Sequence, residues 1–268
     1  MSFEAPSDTE AGSLRPILAF VGLVFALSVP FFLLGWLAPF QVLPGLPLSA
    51  LGVVCPVLAA SILTWRSGAG PGVILLLKRS FDYRRIRPRI GLVLAALLMP
   101  AVAVAVYAML RSTGAALPSA TVPLFVPPLM FLVFFVAALA EELGWAAYAT
   151  DPLQRRWGAL QAGLILGVVW AVWHIIPFIE AGRAADWIAW QGLKTVAARV
   201  IMVSLYNNAG RSVFAVAVFH AMDNVSAFLF PTYGSHYDPR LTALILTGVA
   251  LGIVIAWGPR TLARRTNR

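Results

Sequence analysis

Eight long stretches of mostly apolar residues run through this chain, separated by short polar or Pro- and Gly-rich connections. Each is about 17–25 residues long, the length that an α-helix needs to cross a bilayer. The chain is 60% hydrophobic and only 12% charged, far from the balance of a soluble domain. The sequence therefore predicts an all-α polytopic membrane protein, a bundle of about eight transmembrane helices. The predicted spans are 17–37, 48–65, 91–110, 124–147, 160–178, 190–206, 212–230 and 241–257.

These spans are predicted to form a single membrane domain over residues 1–268, because no repeat, low-complexity tract or soluble domain interrupts them. Residues 1–16 form a polar cytoplasmic tail, residues 124–230 a motif-bearing core, and residues 258–268 a basic cytoplasmic tail. The longest connection, 66–90, is too short and too basic to fold alone. The first span is too long for the core of a signal peptide and is expected to remain as a transmembrane helix.

The basic residues are divided unequally between the two sides of the predicted bundle. With both termini and the even-numbered connections on one side, that side holds 15 Lys and Arg, and the other holds Arg111, Arg183 and Arg240. The positive-inside rule assigns the richer side to the cytoplasm. We therefore expect a multi-pass protein of the cell (plasma or inner) membrane with both termini cytoplasmic. The net charge of +9 then reflects orientation in the bilayer and not a nucleic-acid partner.

Most of the acids and histidines lie in tails or short polar loops, but some side chains of these types, with one Asn, lie in or at the ends of the apolar spans. They are Glu141 and Glu142 in the fourth span, His174 in the fifth, and His220, Asp223 and Asn224 in the seventh. An ionisable group in hydrocarbon is costly unless it is paired or lines a wet cavity, so such groups are retained mainly for function. We predict that these side chains, from three helices, converge on a polar site inside the bundle.

The residue types in this set are suited to amide hydrolysis. A carboxylate in a low-dielectric pocket can act as a general base toward water. Imidazoles polarise water, bind metals or donate to an oxyanion, and an Asn amide is a typical oxyanion donor. His220 and Asn224 are four residues apart and so share one helix face, as do Trp170 and His174. The set indicates hydrolysis of an amide bond in or near the membrane.

Three short motifs resemble those of the CAAX-protease and bacteriocin-processing (CPBP, or Abi) family, whose members are similar to the Ras-converting CAAX endopeptidase. Glu141 to Tyr148 resembles the EExxxR motif, Trp170 to His174 the aromatic-xxx-His motif, and His220 to Asn224 the HxxxN/D motif. Each motif is short, but the three occur in the family's order on separate spans. The resemblance covers roughly Phe131 to Phe228.

The resemblance implies a membrane-embedded endopeptidase. Its partners would be the lipid bilayer and a membrane-associated peptide or protein substrate, either a prenylated CAAX end or a bacteriocin-type peptide. Glu141 would activate water with the help of His174, and His220 and Asn224 would hold the oxyanion. Glu142 would be an orienting carboxylate.

Metal dependence is a separate question. The HExxH helix that is the usual signature of zinc proteases is absent from the sequence. Two His and one Glu can nevertheless form a zinc site with an open position. If a divalent metal such as Zn²⁺ is bound, its predicted ligands are Glu141, His174 and His220; otherwise the site uses no cofactor.

One position departs from the family motifs, because the Arg expected five residues after Glu141 is Ala146. That cation would help to neutralise the Glu pair. Arg199, deep in the sixth span, is the predicted substitute, since a lone Arg at that depth needs a partner. Lys194, nearer the end of the same span, is predicted to extend toward the membrane surface. Asp223 is predicted to pair with Arg199 or to cap the site.

The predicted spans place the site residues at unequal depths. With straight helices, Glu141 lies toward the cytoplasmic side, while His174 lies about 7 Å beyond the centre of its span on the other side. A tilted fifth helix, or one that begins later, is needed to bring them together. If the helices do not converge, the Glu pair is instead a solvated or salt-bridged helix end. Trp170 and Trp173 are predicted to be packing or interface aromatics and not catalytic groups.

Two further functions compete with that of a protease. A catalytically inactive family member could act as a membrane scaffold or immunity factor, and Ala146 favours this alternative. A small transporter could use the same buried acids, but the sequence has no visible internal repeat of the kind that transporters carry.

Overall fold

The computed structural model describes residues 14–38, 40–87, 89–119 and 121–264. The described residues are mostly helical, with a single two-stranded hairpin among them, and the prediction of an all-α polytopic fold is confirmed. The predicted tail 1–16 lies almost wholly outside them. The elements in chain order are α1 Arg15–Leu37, β1 Gln41–Leu43, β2 Leu46–Pro47, α2 Cys55–Lys78, α3 Ile90–Ser112, α4 Val126–Glu142, α5 Asp151–Trp157, α6 Ala159–Trp173, α7 Ile175–Glu180, α8 Ala185–Asn208, α9 Val213–Phe228 and α10 Pro239–Trp257.

Seven helical segments of the described chain are long and apolar enough to cross a membrane. The seventh predicted span, 212–230, corresponds to the shorter α9, whose 16 residues extend about 24 Å. Helix α9 packs against α3, α4 and α8, so that protein covers most of its surface. The seven segments are Arg15–Leu37, Leu48–Gly68, Ile90–Ser112, Val126–Trp157, Ala159–Glu180, Ala185–Asn208 and Pro239–Trp257.

The helical segment that carries the Glu pair is longer than the predicted fourth span. The sequence prediction ended the span at residue 147, close to the polar residues that follow, and so placed Glu141 toward the cytoplasmic side. In the structure α4 continues through a π-helical turn, Leu143–Thr150, into α5 and forms one segment of 32 residues, Val126–Trp157. Glu141 and Glu142 therefore lie near the middle of that helical segment, and their depth in the membrane stays a prediction.

The π-helical turn packs directly against α2. A β-carbon on Gly144 would lie 2.6 Å from Cβ of Pro56 and 2.7 Å from the Pro56 carbonyl oxygen, which leaves no room for a side chain. Seven of the eight residues of the turn are buried. Short π-helical stretches inside α-helices occur frequently at functional sites, and this one follows the Glu pair immediately.

Helices α6 and α8 approach closely because two glycines face α8. A β-carbon on Gly163 would lie 3.1 Å from Cα of Val200, and one on Gly167 would lie 2.9 Å from Cα of Val196. Small residues four apart let the backbones of membrane helices come together. The approach holds Trp170 of α6 against α8.

Replacing Gly167 with Ala is expected to lower the free energy of unfolding by about 1–3 kcal/mol, because the added methyl overpacks the α6–α8 contact. Gly248→Ala on α10 is the matched control, since nothing lies within 4 Å of its β-carbon position. The midpoint of thermal unfolding in detergent measures both effects. A midpoint unchanged by Gly167→Ala, or lowered equally by Gly248→Ala, would contradict the close contact.

The connections gather at two opposite ends of the bundle, as the alternation of spans predicts. At one end the Arg79 guanidinium donates to the Tyr206 hydroxyl at 3.1 Å, and that hydroxyl donates to Asp151 at 3.1 Å. At the other end Arg240 forms an ion pair with Asp186 at 2.6 Å. The predicted basic tail, residues 258–268, begins at the same end of the bundle as Arg79 and Asp151. The carbonyl oxygens of residues 259 and 260 accept hydrogen bonds from backbone N–H groups at the start of α6.

Candidate active site

Both carboxylates of the Glu pair are buried inside the bundle. Glu141 is 3% exposed and Glu142 is not exposed at all. The alternative interpretation was a solvated or salt-bridged helix end. This burial excludes the solvated form, whereas Glu142 does form a salt bridge, with Arg199. Adjacent residues of a helix point about 100° apart, so the two side chains meet different neighbours.

Glu142 is held by cationic and polar partners. The Arg199 guanidinium donates to both of its oxygens, at 2.7 Å and 3.0 Å. Nδ1 of His220 lies 3.1 Å from Oε1 of Glu142. The prediction that Arg199 supplies the cation missing at Ala146 is confirmed, and Ala146 itself is buried in the π-helical turn. A bidentate pair of this kind fixes the carboxylate in position.

Glu141 has a different environment from its neighbour. Its Oε2 accepts a hydrogen bond of 2.8 Å from Nε1 of Trp170, and its Oε1 lies 4.0 Å from Nε2 of His220. Among the described residues, Lys and Arg form no ion pair with it. Glu141 therefore keeps acceptor capacity that Glu142 has already used.

His220 lies between the two carboxylates. Because an ionised carboxylate only accepts, the bond to Glu142 assigns the proton to Nδ1 of His220. Nε2 then faces Glu141. The orientation of this ring is thus set by Glu142, in the way that a carboxylate orients the histidine of a catalytic triad.

His174 occupies the break between α6 and α7. Its Nδ1 lies 2.8 Å from the carbonyl oxygen of Trp170, which can only accept, so Nδ1 carries the proton and Nε2 is left with a lone pair. The ring packs between Trp173 at 4.8 Å and Phe178 at 5.6 Å, measured between ring centres. The His174 ring also makes an edge-to-face contact with the Trp170 ring, with 5.4 Å between the ring centres. His174 therefore lies beside the indole that donates a hydrogen bond to Glu141.

Trp170 connects the groups that the sequence places on three different helices. Besides its bond to Glu141, its ring lies 4.9 Å from the His220 ring and 4.3 Å below the Arg199 guanidinium carbon. Trp170 is thus a buried packing aromatic, as predicted, and in addition it donates a hydrogen bond to Glu141. Its position four residues before His174, on the same helix face, is the sequence signal that could have indicated the contact.

A second buried ion pair lies next to the site. Lys194 of α8 pairs with Asp223 of α9, and both side chains are almost completely buried. Lys194 therefore does not extend to the membrane surface, and that prediction was wrong. Of the two alternatives for Asp223, pairing with Arg199 was wrong, and capping of the site stays a prediction. A cation in an apolar span needs a buried partner, but the sequence does not show which acid from another helix reaches it.

Asn224 follows Asp223 on α9 and lies one helical turn from His220. Its side chain is half-buried. Within the described part of the chain, its amide makes no hydrogen bond. The amide donors of Asn224 are therefore available to a bound group.

The candidate zinc ligands have suitable donor atoms but are not gathered around one point. Within the described residues, no three His, Cys, Asp or Glu side chains are close enough to hold a metal ion. Glu141, His174 and His220 instead direct polar atoms toward Trp170 and Glu142. The residues present do not fit a metal centre as they stand.

The arrangement combines an acceptor carboxylate, two imidazole nitrogens and a free amide inside a bundle of apolar helices. Residues 123–226 match the Rce1-like family of type II CAAX prenyl endopeptidases. The resemblance to CAAX proteases is thereby confirmed. The Rce1-like match covers the Glu pair, Trp170, His174, His220 and Asn224.

A curated relative supports the Rce1-like match. The CAAX prenyl protease 2 of Methanococcus maripaludis is 28% identical over 141 residues, which is 49% of this chain and 49% of the relative. The chain thus spans about half the length of the relative that it matches. With its apolar helices, the Rce1-like match indicates a multi-pass membrane protein.

Proposed function

We propose that this protein is a membrane-embedded endopeptidase that hydrolyses a peptide bond in a membrane-associated substrate. The observation that carries the proposal is the division between two adjacent buried carboxylates. The charge of Glu142 is neutralised by Arg199. Glu141 can still accept hydrogen bonds, and its Oε1 lies 4.0 Å from Nε2 of His220. A buried carboxylate in that state is suited to take a proton from water.

In the proposed reaction Glu141 accepts a proton from water as the water oxygen attacks the peptide carbonyl. His174, whose Nε2 carries a lone pair, helps to orient this water. The new C–O bond gives a tetrahedral oxyanion, which the Asn224 amide and His220 stabilise by hydrogen bonds. His220 acts here as an imidazolium, with Nδ1–H donating to Glu142 and Nε2–H donating to the oxyanion. Glu141 then passes its proton to the amide nitrogen as the C–N bond breaks.

The substrate that we propose is a prenylated CAAX end, with a bacteriocin-type peptide as the alternative. The name of the relative, CAAX prenyl protease 2, supports this order. One side of the predicted bundle holds 15 Lys and Arg and the other side holds three, which supports cytoplasmic termini and a location in the cell membrane.

The test is cleavage of a panel of membrane peptides by the purified full chain in lipid vesicles. The panel contains prenylated CAAX peptides, the same peptides without the prenyl group, and leader-type peptides; mass spectrometry locates the cut. We expect cleavage of the prenylated peptides at a single bond, with none in vesicles that lack the protein. A folded chain that cuts none of them would contradict the proposal.

A catalytically inactive scaffold or immunity factor is the second candidate, and Ala146 in place of the motif Arg favours it. The bidentate Arg199–Glu142 pair weakens that argument, because the cation is supplied from α8. A scaffold would bind a membrane peptide without cutting it. The small transporter is the third candidate, and flux into vesicles would support it.

Metal dependence stays a prediction, and the proposed reaction includes no metal. Metal analysis of the purified chain, together with cleavage rates before and after chelation, tests it. Loss of activity that Zn²⁺ restores would assign the metal to the site.

A further inference from the structure

Residues 71–87, here termed the surface segment, run in a different direction from the membrane span that precedes them. The apolar span before the surface segment ends at Gly68. Helix α2 then bends back: a β-carbon on Gly72 would lie 3.0 Å from Cγ2 of Thr64 and 3.8 Å from its carbonyl oxygen. Eight residues of straight helix would separate these positions by about 12 Å. The surface segment therefore does not continue the direction of the preceding span.

The surface segment has one face toward the bundle and one away from it. Leu76, Arg79 and Ser80 are buried against the protein. On the outward face Phe81 is 72% exposed and Tyr83 is 50% exposed. The large exposed apolar side chains are Ile74, Leu77, Phe81 and Tyr83. These side chains come from the end of α2 and from the 3₁₀ turn Arg79–Arg85, in which Phe81 and Asp82 are not helical. A segment with exposed apolar side chains on its outward face is typical of chain that lies along a membrane surface.

The outward face is also positively charged. The exposed cations are Lys78, Arg84, Arg85 and Arg87. Asp82 is the single acid of the surface segment. Its carboxylate accepts from the Ser212 hydroxyl at 2.7 Å and from the backbone N–H groups of Val213 and Phe214, at 3.1 Å each. The acid therefore points toward α9 and does not balance the cations.

We propose that the surface segment binds the headgroups of anionic phospholipids at the membrane surface. Its arginines would contact the phosphates while Leu77 and Phe81 enter the boundary of the acyl chains. Each cation near an anionic surface raises affinity by roughly fivefold. A nucleic acid would satisfy the charge but would leave Ile74 and Leu77 in water, whereas a membrane covers both.

Lipid binding at this surface is coupled to the helices of the site. Arg79 of the surface segment donates to the Tyr206 hydroxyl of α8 at 3.1 Å, and Asp82 caps the start of α9. Helices α8 and α9 carry Arg199 and His220. Anionic lipid is therefore expected to raise the midpoint of thermal unfolding of the whole chain.

The test uses the purified full chain in bilayer nanodiscs of phosphatidylcholine, with or without phosphatidylglycerol. The variant Arg84→Gln with Arg85→Gln and Arg87→Gln removes three outward cations. The control variant, Arg111→Gln with Arg183→Gln and Arg240→Gln, removes three from the opposite side. We expect phosphatidylglycerol to raise the unfolding midpoint of the native and control chains. For the first variant, we expect most of this rise in the midpoint to be lost, because its affinity for phosphatidylglycerol should be about 100-fold lower.

Three results would overturn this proposal. Equal responses of the two triple variants to phosphatidylglycerol would show that the cations of the surface segment are not the site. Equal stabilisation by free inorganic phosphate in phosphatidylcholine nanodiscs would assign the cations to a soluble anion. Binding of a short DNA duplex in place of the lipid would assign them to nucleic acid.

Discussion

Glu141→Gln is expected to lower the rate of peptide cleavage by about 10²–10⁴-fold, because an amide cannot take the proton from water. The replacement is nearly isosteric, and its amide oxygen can still accept from Nε1 of Trp170. Folding should therefore be retained. Initial rates of cleavage, measured with thermal unfolding of the same preparation, separate lost chemistry from lost structure.

Asp186→Asn is the matched control for this measurement. Asp186 is an exposed acid whose ion pair with Arg240 lies at the end of the bundle, away from the Glu pair. Its neutralisation should leave the rate of cleavage unchanged. If Glu141→Gln cleaved as fast as Asp186→Asn, Glu141 would not be the base.

Arg199→Met is expected to lower the free energy of unfolding by about 3–5 kcal/mol, because it leaves Glu142 buried without its cation. Both members of the pair are almost completely buried and joined by two hydrogen bonds. Arg240→Met is the control: its pair with Asp186 is as short, but both side chains are more than half exposed. A change of about 0–1 kcal/mol is expected there. Chemical or thermal unfolding in detergent measures both.

A second variant keeps this prediction testable if Arg199→Met does not accumulate. Replacing Arg199 with Met and Glu142 with Leu together removes both charges, and stability should return toward that of the native chain. Cleavage should not return, because His220 loses the carboxylate that orients it. If Arg199→Met alone were as stable as Arg240→Met, Arg199 would not be needed to neutralise Glu142.

The fold was largely predictable because lipid imposes a simple constraint on sequence. Spans long enough to cross a bilayer appear directly as apolar stretches. The misplaced end of the fourth span has a physical cause. Asp151 and Gln154 interrupt the apolar pattern, but they bond to each other at 2.7 Å, and Asp151 also accepts from Tyr206. Partners supplied by other helices let the helical segment continue through polar residues.

The contacts of the site were predictable only in part. The need to neutralise a buried charge identified Arg199, because few cations lie deep in the apolar spans. The same reasoning did not predict the ion pair of Lys194 with Asp223. A buried charge shows that a partner is needed, but it does not show which face of a neighbouring helix supplies that partner. The contact of Trp170 with Glu141 depends on the glycines that bring α6 against α8, and hydrophobic periodicity does not reveal it.

The π-helical turn after the Glu pair sets the rotational register between the two halves of its helix. It accommodates one residue more than regular winding would, and one residue of an α-helix corresponds to about 100°. Deleting one residue between Leu143 and Thr150 would restore regular winding and rotate Glu141 and Glu142 relative to the segment that follows. The length and hydropathy of the span would barely change. A relative could therefore keep every span and both carboxylates while aiming them away from His220.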